Sequence, residues 1–283
     1  MTTKKVILAV LAHPDDETFG MGGTLALYAR MGVVVHLVCA TKGEVGEVPE
    51  EMMTGYKTVA DLREDELKRA GKILGLTSIN YLGYRDSGMA GSLDNQHPMS
   101  LAAADIDEVT GKVVHFIRLL KPQVVLTFDP IGGYRHPDHI AIQRATDKAF
   151  YAAGDAKQYK KDLPPFAPAK LYFHTMPKGT IRFGVFIMRL LGRDPRKFGR
   201  NGDIDLEAIA SVSFPTHARI DYRTVAEVRN QAAACHASQG GTQITSKGLI
   251  GRIRSFIGSK DLFMRAYPPP TRHIETDLFE GIE

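Results

Sequence analysis

Residues 12–17 and 136–139 hold histidines and aspartates at a spacing suited to catalysis. His13 and Asp16 lie three residues apart in the first stretch, and His139 closes the second. Two imidazoles and one carboxylate are a recurring ligand set for a catalytic zinc ion, which keeps a further position open for water. Iron(II) would suit the same ligands. We therefore predict a metal site made of His13, Asp16 and His139.

Four neighbouring residues offer the other groups that hydrolysis requires. Asp15 adjoins a ligand while its side chain is free to point elsewhere, so it could take a proton from the attacking water as the general base. His136 could protonate a leaving amine or stabilise an oxyanion, with Asp138 fixing its tautomer. Tyr134 could donate a hydrogen bond to the same oxyanion. Together these residues predict metal-assisted hydrolysis of an amide or an ester.

Each of these residues also has a structural explanation on its own. An Asp before a helix is usually an N-cap, and this explanation competes with a catalytic role for Asp138. A single His is more often a hydrogen-bonded structural residue than a ligand. Capping does not explain two His-Pro-Asp elements that each follow an apolar run, and this repetition favours metal binding.

Gly20, Gly22 and Gly23 invite comparison with a dinucleotide-binding loop. The glycine pattern is incomplete, and residues 13–19 separate it from the first apolar run, so a nicotinamide site is not expected. Neither a Gly-x-Ser-x-Gly elbow nor a P-loop occurs in the sequence. We predict that the glycines allow close helix packing behind the metal loop.

The elements around the two stretches explain how they would meet. Each stretch follows an apolar run that predicts a buried strand, at 6–11 and 124–128, and each leads into a predicted helix, at 24–31 and 140–151. Right-handed crossovers would place both strands in one parallel sheet, with both loops at the same edge. Ligands of open α/β sheets bind at that edge. The two stretches are therefore expected to face each other across a cleft.

The remaining pattern predicts an alternating α/β chain with a less regular second half. Further strands are predicted at 33–40, 79–82, 170–175 and 211–220, and further helices at 61–74, 105–120 and 222–237. Residues 90–104 are predicted to form an exposed loop. Residues 178–200 mix basic and apolar side chains, which suits a mobile lid, an oligomer contact, or an excursion with its own apolar cluster.

Composition limits the class of protein. The chain has 283 residues, 43% of them hydrophobic, and its net charge of +4 involves no long basic block, so nucleic acid is not an expected partner. Two cysteines, Cys39 and Cys235, are too few for a disulfide framework. The apolar run near the start is shorter than a signal-peptide core or a membrane span. These features predict a cytoplasmic protein with reduced thiols.

The two metal stretches, with residues 41–47, 63–67, 84–89 and 132–134, resemble the PIG-L/LmbE family of zinc-dependent N-deacetylases. The likeness covers roughly the first 150 residues; later only residues 234–239 and 275–279 are similar. The intervening residues resemble the bacterial thiol-pathway branch, which deacetylates N-acetylglucosaminyl-inositol.

The resemblance implies the same metal ligands and catalytic groups. It also implies that Glu47, Arg63 and Asp86 contact hydroxyls of the sugar or its aglycone, although Arg63 could instead form surface ion pairs with nearby glutamates on its helix. Arg135 departs from the small residue expected there in the thiol-pathway branch, which leaves the aglycone open.

We therefore expect a Rossmann-like, three-layer α/β fold with a mostly parallel sheet, forming one domain over residues 1–283. Residues 1–155 would be the metal-binding half, and residues 156–283 a variable part that completes the cleft. The expected activity is removal of acetyl from an N-acetylglucosamine-type small molecule. The expected cofactor is zinc, or alternatively iron(II), and the chain could form a homo-oligomer. The alternatives are a thiol-conjugate amidase with the same zinc site and a non-catalytic carbohydrate-binding module.

Overall fold

A computed structural model describes residues 4–161, 163–198, 202, 204–244 and 259–282. The strands are β1 Val6–Leu11, β2 Val34–Cys39, β3 Ser78–Tyr81, β4 Val124–Phe128, β5 Lys170–Thr175, β6 Ala218–Asp221 and β7 Lys260–Tyr267. The helices are α1 Asp16–Arg30, α2 Val59–Leu74, α3 Ile106–Leu120, α4 Gly132–Arg135, α5 Pro137–Ala152, α6 Lys178–Leu190, α7 Leu206–Ser211, α8 Ala226–Cys235 and α9 Gly241–Ile244. The chain thus alternates strands and helices through its first half, as expected.

All seven strands form one sheet in the order β3-β2-β1-β4-β5-β7-β6. The five strands β1 to β5 run parallel, and β7 pairs antiparallel with both β5 and β6. The chain moves outward from β1 to β3 and then returns to place β4 on the other side of β1. A crevice opens outside the carboxyl ends of strands at such a switch point.

The middle of the sheet is a continuous apolar layer. Side chains from Ile7 to Leu11 and from Val124 to Leu126 are fully buried, which requires helices on both faces of the sheet. Helices α3 and α5 pack together, whereas α1, α2 and α8 form a second group. The expected three-layer, Rossmann-like fold is confirmed.

Most predicted elements of the first half are confirmed within a few residues, but two helices begin earlier than predicted. Helix α1 begins at Asp16 rather than at residue 24, because its glycines lie inside the helix. A Cβ on Gly23 would lie 2.1 Å from Cγ of Tyr222, so this glycine permits close packing, as predicted. Helix α5 begins at Pro137 rather than at residue 140, with His136 as its N-cap and proline in its first turn.

The second half differs more from the prediction. Strand β7 was not predicted, because its buried and half-exposed positions alternate and the buried ones include Asp261 and Arg265. The strand predicted at 211–220 is only Ala218–Asp221, and the helix predicted at 222–237 is only Ala226–Cys235 after a 3₁₀ turn. Charged residues at the ends of these two elements form turns and caps. The periodicity of apolar residues does not distinguish such turns from the ends of a helix.

Two predicted irregular segments have defined structure. Residues 90–104 contain a 3₁₀ turn at Leu93–Gln96, and Ser100 and Leu101 are buried rather than exposed. Within the 178–200 segment, helix α6 exposes 64% of Phe183 and 60% of Phe186, and residues 199–200 lie outside the described residues. The lid and oligomer-contact roles stay predictions.

Cys39 is buried and Cys235 half-buried, and both thiols are free. In the described part of the chain, no helix has the length and apolar character needed to cross a membrane.

Candidate metal centre and catalytic groups

Both predicted stretches lie at the switch point between β1 and β4. The first follows Leu11, the last residue of β1, and ends in the first turn of α1. The second caps and begins α5 after the loop that leaves Phe128, the last residue of β4. The sheet topology therefore brings together side chains that are 126 residues apart, as for His13 and His139.

Three polar side chains converge at this point. Nδ1 of His13 lies 3.2 Å from Nε2 of His139, and that nitrogen lies 3.2 Å from Oδ1 of Asp16. The other oxygen of Asp16 is 3.6 Å from Nδ1 of His13. Ligand atoms around a tetrahedral zinc ion lie about 3.3 Å apart, given metal–ligand distances of about 2.0–2.2 Å. The three side chains therefore have the spacing expected of ligands that share one metal ion.

The protonation of these groups also fits a cation. Nε2 of His13 lies 3.0 Å from the carboxylate of Asp138, which places the ring proton there and leaves a lone pair on Nδ1. Although burial alone would raise the pKa of Asp16, the facing His139 and His13 lower it well below its usual value. Although burial opposes it, the facing carboxylates raise the pKa of His13 well above its usual value. A divalent metal ion bound by these groups would displace a proton from the cluster, as metal binding to imidazole and carboxylate ligands does.

The carboxylate of Asp138 does not contact the ring of His136, where the sequence analysis expected it. It accepts hydrogen bonds from the Ser87 hydroxyl and from the Ser87 backbone N–H at 2.9 Å, besides its contact with His13. Asp138 is fully buried. A carboxylate behind a ligand imidazole fixes the orientation and tautomer of that ligand. Asp138 therefore serves His13, because the first turn of α5 points its side chain across the crevice.

Two other groups of residues are close enough to share an ion. One is His13, His136 and His139, and the other is His13, Asp86 and Asp138. Nδ1 of His136 already accepts from the Asp138 backbone N–H at 3.2 Å, and Asp138 is engaged by Ser87. These contacts favour Asp16 as the third ligand beside His13 and His139.

Away from the candidate centre, the His139 ring is held by stacking. Its ring lies 3.9 Å from the ring of Phe128, with an angle of 14° between the planes. Its Nδ1 is buried with no hydrogen-bond partner in the described part of the chain. Nε2 is thus the nitrogen that His139 presents to the candidate centre.

Asp15 lies beside the centre, and its carboxylate pairs with Arg63. Its backbone has φ 130°, and its Oδ2 lies 3.1 Å from a guanidinium nitrogen of Arg63. Burial raises the pKa of Asp15 to about 6, against the opposing charge of Arg63. A half-buried carboxylate whose pKa is raised toward neutrality is suited to accepting a proton from water.

His136 and Tyr134 line the same crevice. Because Nδ1 of His136 accepts a backbone N–H, the neutral ring carries its proton on Nε2. Burial, together with the neighbouring His13 and His139, lowers the pKa of His136. Burial raises the pKa of Tyr134, so its phenol stays protonated, and its ring lies 5.9 Å from that of His136. Both side chains can donate hydrogen bonds.

The three residues implied as substrate contacts have different surroundings. Arg63 is buried and donates to the carbonyls of Pro14 and Gly43 at 2.8 and 3.1 Å, so it is not part of a surface ion pair. Asp86 is buried with Oδ1 3.5 Å from Nε2 of His13. Glu47 is exposed. Arg63 and Asp86 are therefore built into the wall of the centre, whereas Glu47 lies in a solvent-facing loop.

Sequence reasoning missed two buried residues next to these groups. Glu17 directly follows Asp16, and His236 lies 2.7 Å from its carboxylate although 219 residues separate them. Residues 234–239 resembled the family but received no role. One signal could have found this pair. Glu17 stands at the start of α1, where its neighbours are buried, and a buried glutamate needs a partner.

The amino-acid sequence is similar to that of a family of deacetylases. The model of the PIG-L family, described as GlcNAc-PI de-N-acetylase, matches residues 8–150. A Catenulispora acidiphila protein named 1D-myo-inositol 2-acetamido-2-deoxy-α-D-glucopyranoside deacetylase 2 is 36% identical over 299 residues, which cover 98% of this chain and 97% of the relative.

Solved structures share the fold. N,N'-diacetylchitobiose deacetylase from Pyrococcus horikoshii has a TM-score of 0.63 at 21% identity, covering 93% of this chain and 84% of that chain. GalB, the 4-carboxy-2-hydroxymuconate hydratase from Pseudomonas putida, has a TM-score of 0.59 at 21% identity, covering 95% and 99%. Since one neighbour is a hydratase, the fold alone does not decide the reaction.

Proposed function

The chain belongs to the PIG-L family, and we propose that it is a metal-dependent hydrolase that removes acetyl from an N-acetylglucosamine-type substrate, GlcNAc-inositol or a related conjugate. The observation that carries this proposal is the convergence of His13, Asp16 and His139 beside the carboxylate of Asp15. The names of the curated relatives, such as the Catenulispora acidiphila deacetylase, support the choice of an amino-sugar amide.

We propose zinc as the metal, with iron(II) as the alternative for the same donors. A bound divalent ion would supply Lewis acidity to the attacking water and to the amide carbonyl. Asp15 takes the proton of that water, because its carboxylate lies beside the ligands without a contact to them. Arg63 keeps the Asp15 carboxylate in place through their ion pair at 3.1 Å.

The developing negative charge and the leaving amine need donors. His136 carries its proton on Nε2, because its Nδ1 accepts the backbone N–H at the start of α5, and it is proposed to donate a hydrogen bond from Nε2 to the oxyanion. The departing nitrogen takes the proton that Asp15 removed from the water. The Tyr134 phenol is proposed to add a second hydrogen bond to the oxyanion. Both donors are held before substrate arrives, which lowers the barrier more than donors that must reorganise.

Substrate contacts are proposed at Glu47, Arg63 and Asp86. Arg63 and Asp86 line the buried wall, so they would meet the sugar near its acetamido group. The exposed Glu47 would meet hydroxyls farther out, on the sugar or the aglycone.

The test is hydrolysis of three substrates by the purified, zinc-loaded protein, measured as the free amine released: GlcNAc-inositol, chitobiose and a cysteinyl-amide conjugate. We expect turnover of one of the two GlcNAc substrates, its loss after chelation, and its return when zinc is added. Asp15→Asn should lower kcat by about 100-fold or more while bound zinc, measured by mass spectrometry, stays at the wild-type ratio.

Asp107→Asn is the matched control, because Asp107 is an exposed carboxylate paired with Lys148 and is expected to leave turnover unchanged. Cleavage of only the cysteinyl-amide conjugate would identify a thiol-conjugate amidase instead. Binding of the sugars without any hydrolysis would identify a carbohydrate-binding module and overturn the proposed function.

A further inference from the structure

A second buried acid–imidazole pair lies behind the candidate metal centre. Oε1 of Glu17 is 2.7 Å from Nε2 of His236, and both residues have zero exposed surface. The Thr18 hydroxyl donates to the same carboxylate oxygen. Burying such a pair brings a desolvation cost that its mutual attraction does not reliably exceed, so stability alone is a weak reason for its presence.

The second oxygen of Glu17 connects the pair to Asp15. Oε2 accepts the backbone N–H of Asp15 at 3.0 Å. Asp15 has φ 130°, a left-handed conformation that residues other than glycine rarely adopt. Such a conformation persists only where surrounding contacts hold it. Glu17 supplies one of those contacts directly at the strained residue.

The strained turn determines where two consecutive carboxylates point. Oδ2 of Asp15 lies 3.1 Å from Arg63, whereas Oδ1 of Asp16 lies 3.2 Å from His139. If Asp15 relaxed to an ordinary backbone conformation, its carboxylate would turn relative to its neighbour. A displacement of about 1 Å at a catalytic group costs on the order of 100-fold in rate.

His236 is itself firmly held. It follows α8, which packs on α1 and α2, and its ring makes an edge contact with Phe19 at 5.8 Å between centroids. Two residues later, Ser238 donates its N–H and hydroxyl to Glu66 of α2 at 2.9 and 2.6 Å. Nδ1 of His236 has no partner in the described residues, so the one hydrogen bond of its ring is the contact with Glu17.

We propose that Glu17 and His236 are positioning residues for the reaction: the C-terminal half, through His236, holds Glu17 against the Asp15 backbone and thereby aims the Asp15 carboxylate. This inference rests on the proposed function, because it assigns the pair to the general base of that reaction.

The experiment compares His236→Leu, which removes the donor at similar volume, with His236→Gln, which restores an N–H near the position of Nε2. Steady-state kinetics use the GlcNAc substrate that the wild-type enzyme turns over. We expect His236→Leu to lower kcat by 10- to 100-fold with KM and bound zinc within twofold of wild type, and His236→Gln to recover most of kcat. Ser238→Ala is the matched control: it loosens the same segment without touching Glu17, so it should lower the melting temperature but keep kcat.

A double-mutant cycle with Asp15→Asn separates positioning from general damage. If His236 acts through Asp15, adding His236→Leu to Asp15→Asn lowers the residual rate no further. Additive losses, or an unchanged kcat in His236→Leu, would overturn the inference alone. Absence of turnover by the wild-type enzyme overturns the proposed function and this inference with it. If His236→Leu does not fold, Glu17→Gln enters the same cycle with the same expected non-additivity.

Discussion

At the scale of single residues, the centre depends on which nitrogen of each imidazole the protein holds. Asp138 decides this for two rings at once: its carboxylate lies 3.0 Å from Nε2 of His13, and its backbone N–H donates to Nδ1 of His136. The neutral His13 ring would therefore present a lone pair to a metal ion shared with Asp16, and His136 presents a proton toward the crevice. One helix turn thus assigns opposite roles to two neighbouring histidines.

This assignment predicts a loss of metal affinity in Asp138→Ala. Without the carboxylate, the His13 ring is free to rotate and to carry its proton on the nitrogen that faces the metal. Loss of such a partner typically costs about 10- to 100-fold in metal affinity or activity. The measurement is the zinc dissociation constant, obtained by competition with a chelating dye.

Asp138→Asn keeps an acceptor at this position and should lie between Asp138→Ala and wild type, while Asp107→Ala at the exposed pair with Lys148 should match wild type. An unchanged zinc affinity in Asp138→Ala would show that Asp138 does not orient His13.

At the scale of elements, helix α1 carries the proposed metal ligand Asp16, and strand β7 contacts this helix through a buried carboxyl group. The helix is interrupted at Met21, whose φ is −132°. Just beyond this break, Oδ2 of Asp261 on β7 accepts the backbone N–H and the hydroxyl of Thr24 at 2.8 and 2.6 Å. An unpredicted strand therefore contributes a buried carboxyl group that fixes a predicted helix.

The burial of Asp261 makes stability depend on pH, and the hydrogen bonds from Thr24 only partly oppose its effect on the pKa of this carboxyl. Burial raises the pKa of Asp261 to about 6, above that of the unfolded chain, so the folded protein binds the proton more tightly. The stabilising contribution is complete below about pH 4 and is lost as the pH rises through about 6. Asp261→Asn, which does not titrate, should lack this loss.

We expect the free energy of unfolding of Asp261→Asn, relative to wild type, to rise by about 1.5 kcal/mol between pH 5 and pH 7.5. Urea unfolding of both proteins at the two pH values gives this difference, and the subtraction removes groups that titrate equally in both. A difference that is constant with pH would contradict the raised pKa.

At the scale of the whole molecule, the sheet joins strands from both sides of residue 155. A buried ionic cluster links β5 and β7 on the side of the sheet formed by the later strands. Oε1 of Glu275 lies 2.6 Å from the ammonium of Lys170 on β5 and 2.6 Å from the guanidinium of Arg265 on β7. The Tyr172 hydroxyl donates to its other oxygen at 2.6 Å. One carboxylate thus pairs with two buried cations.

We predict that Glu275→Gln lowers the free energy of unfolding by about 3 kcal/mol, because both cations remain buried without their counter-charge. Glu280→Gln is the control, since Glu280 pairs with His273 at the surface and should change stability little. Urea unfolding followed by circular dichroism measures both variants. Equal stability of the two variants would mean that the cluster relaxes or admits water.

The sequence by itself determined the local parts of this protein. Apolar runs bounded by polar loops placed β1, β4 and β5 at their observed bounds, and the two His-Pro-Asp elements identified the side chains that meet at the switch point. These signals are readable because strand periodicity and loop chemistry depend on a few consecutive residues, and because the parallel topology brings the carboxyl ends of its strands to one edge.

Only the tertiary structure decided the partners of the buried polar groups. The carboxylate of Asp138 contacts His13 and not the nearby His136. Arg63 pairs with Asp15 instead of surface glutamates. Glu17 contacts His236, which lies far along the chain. The alternating polar strand β7 also became recognisable only between its neighbours. A buried charge pairs with the polar group that tertiary packing brings within about 3 Å. The distance along the sequence does not indicate which group that is.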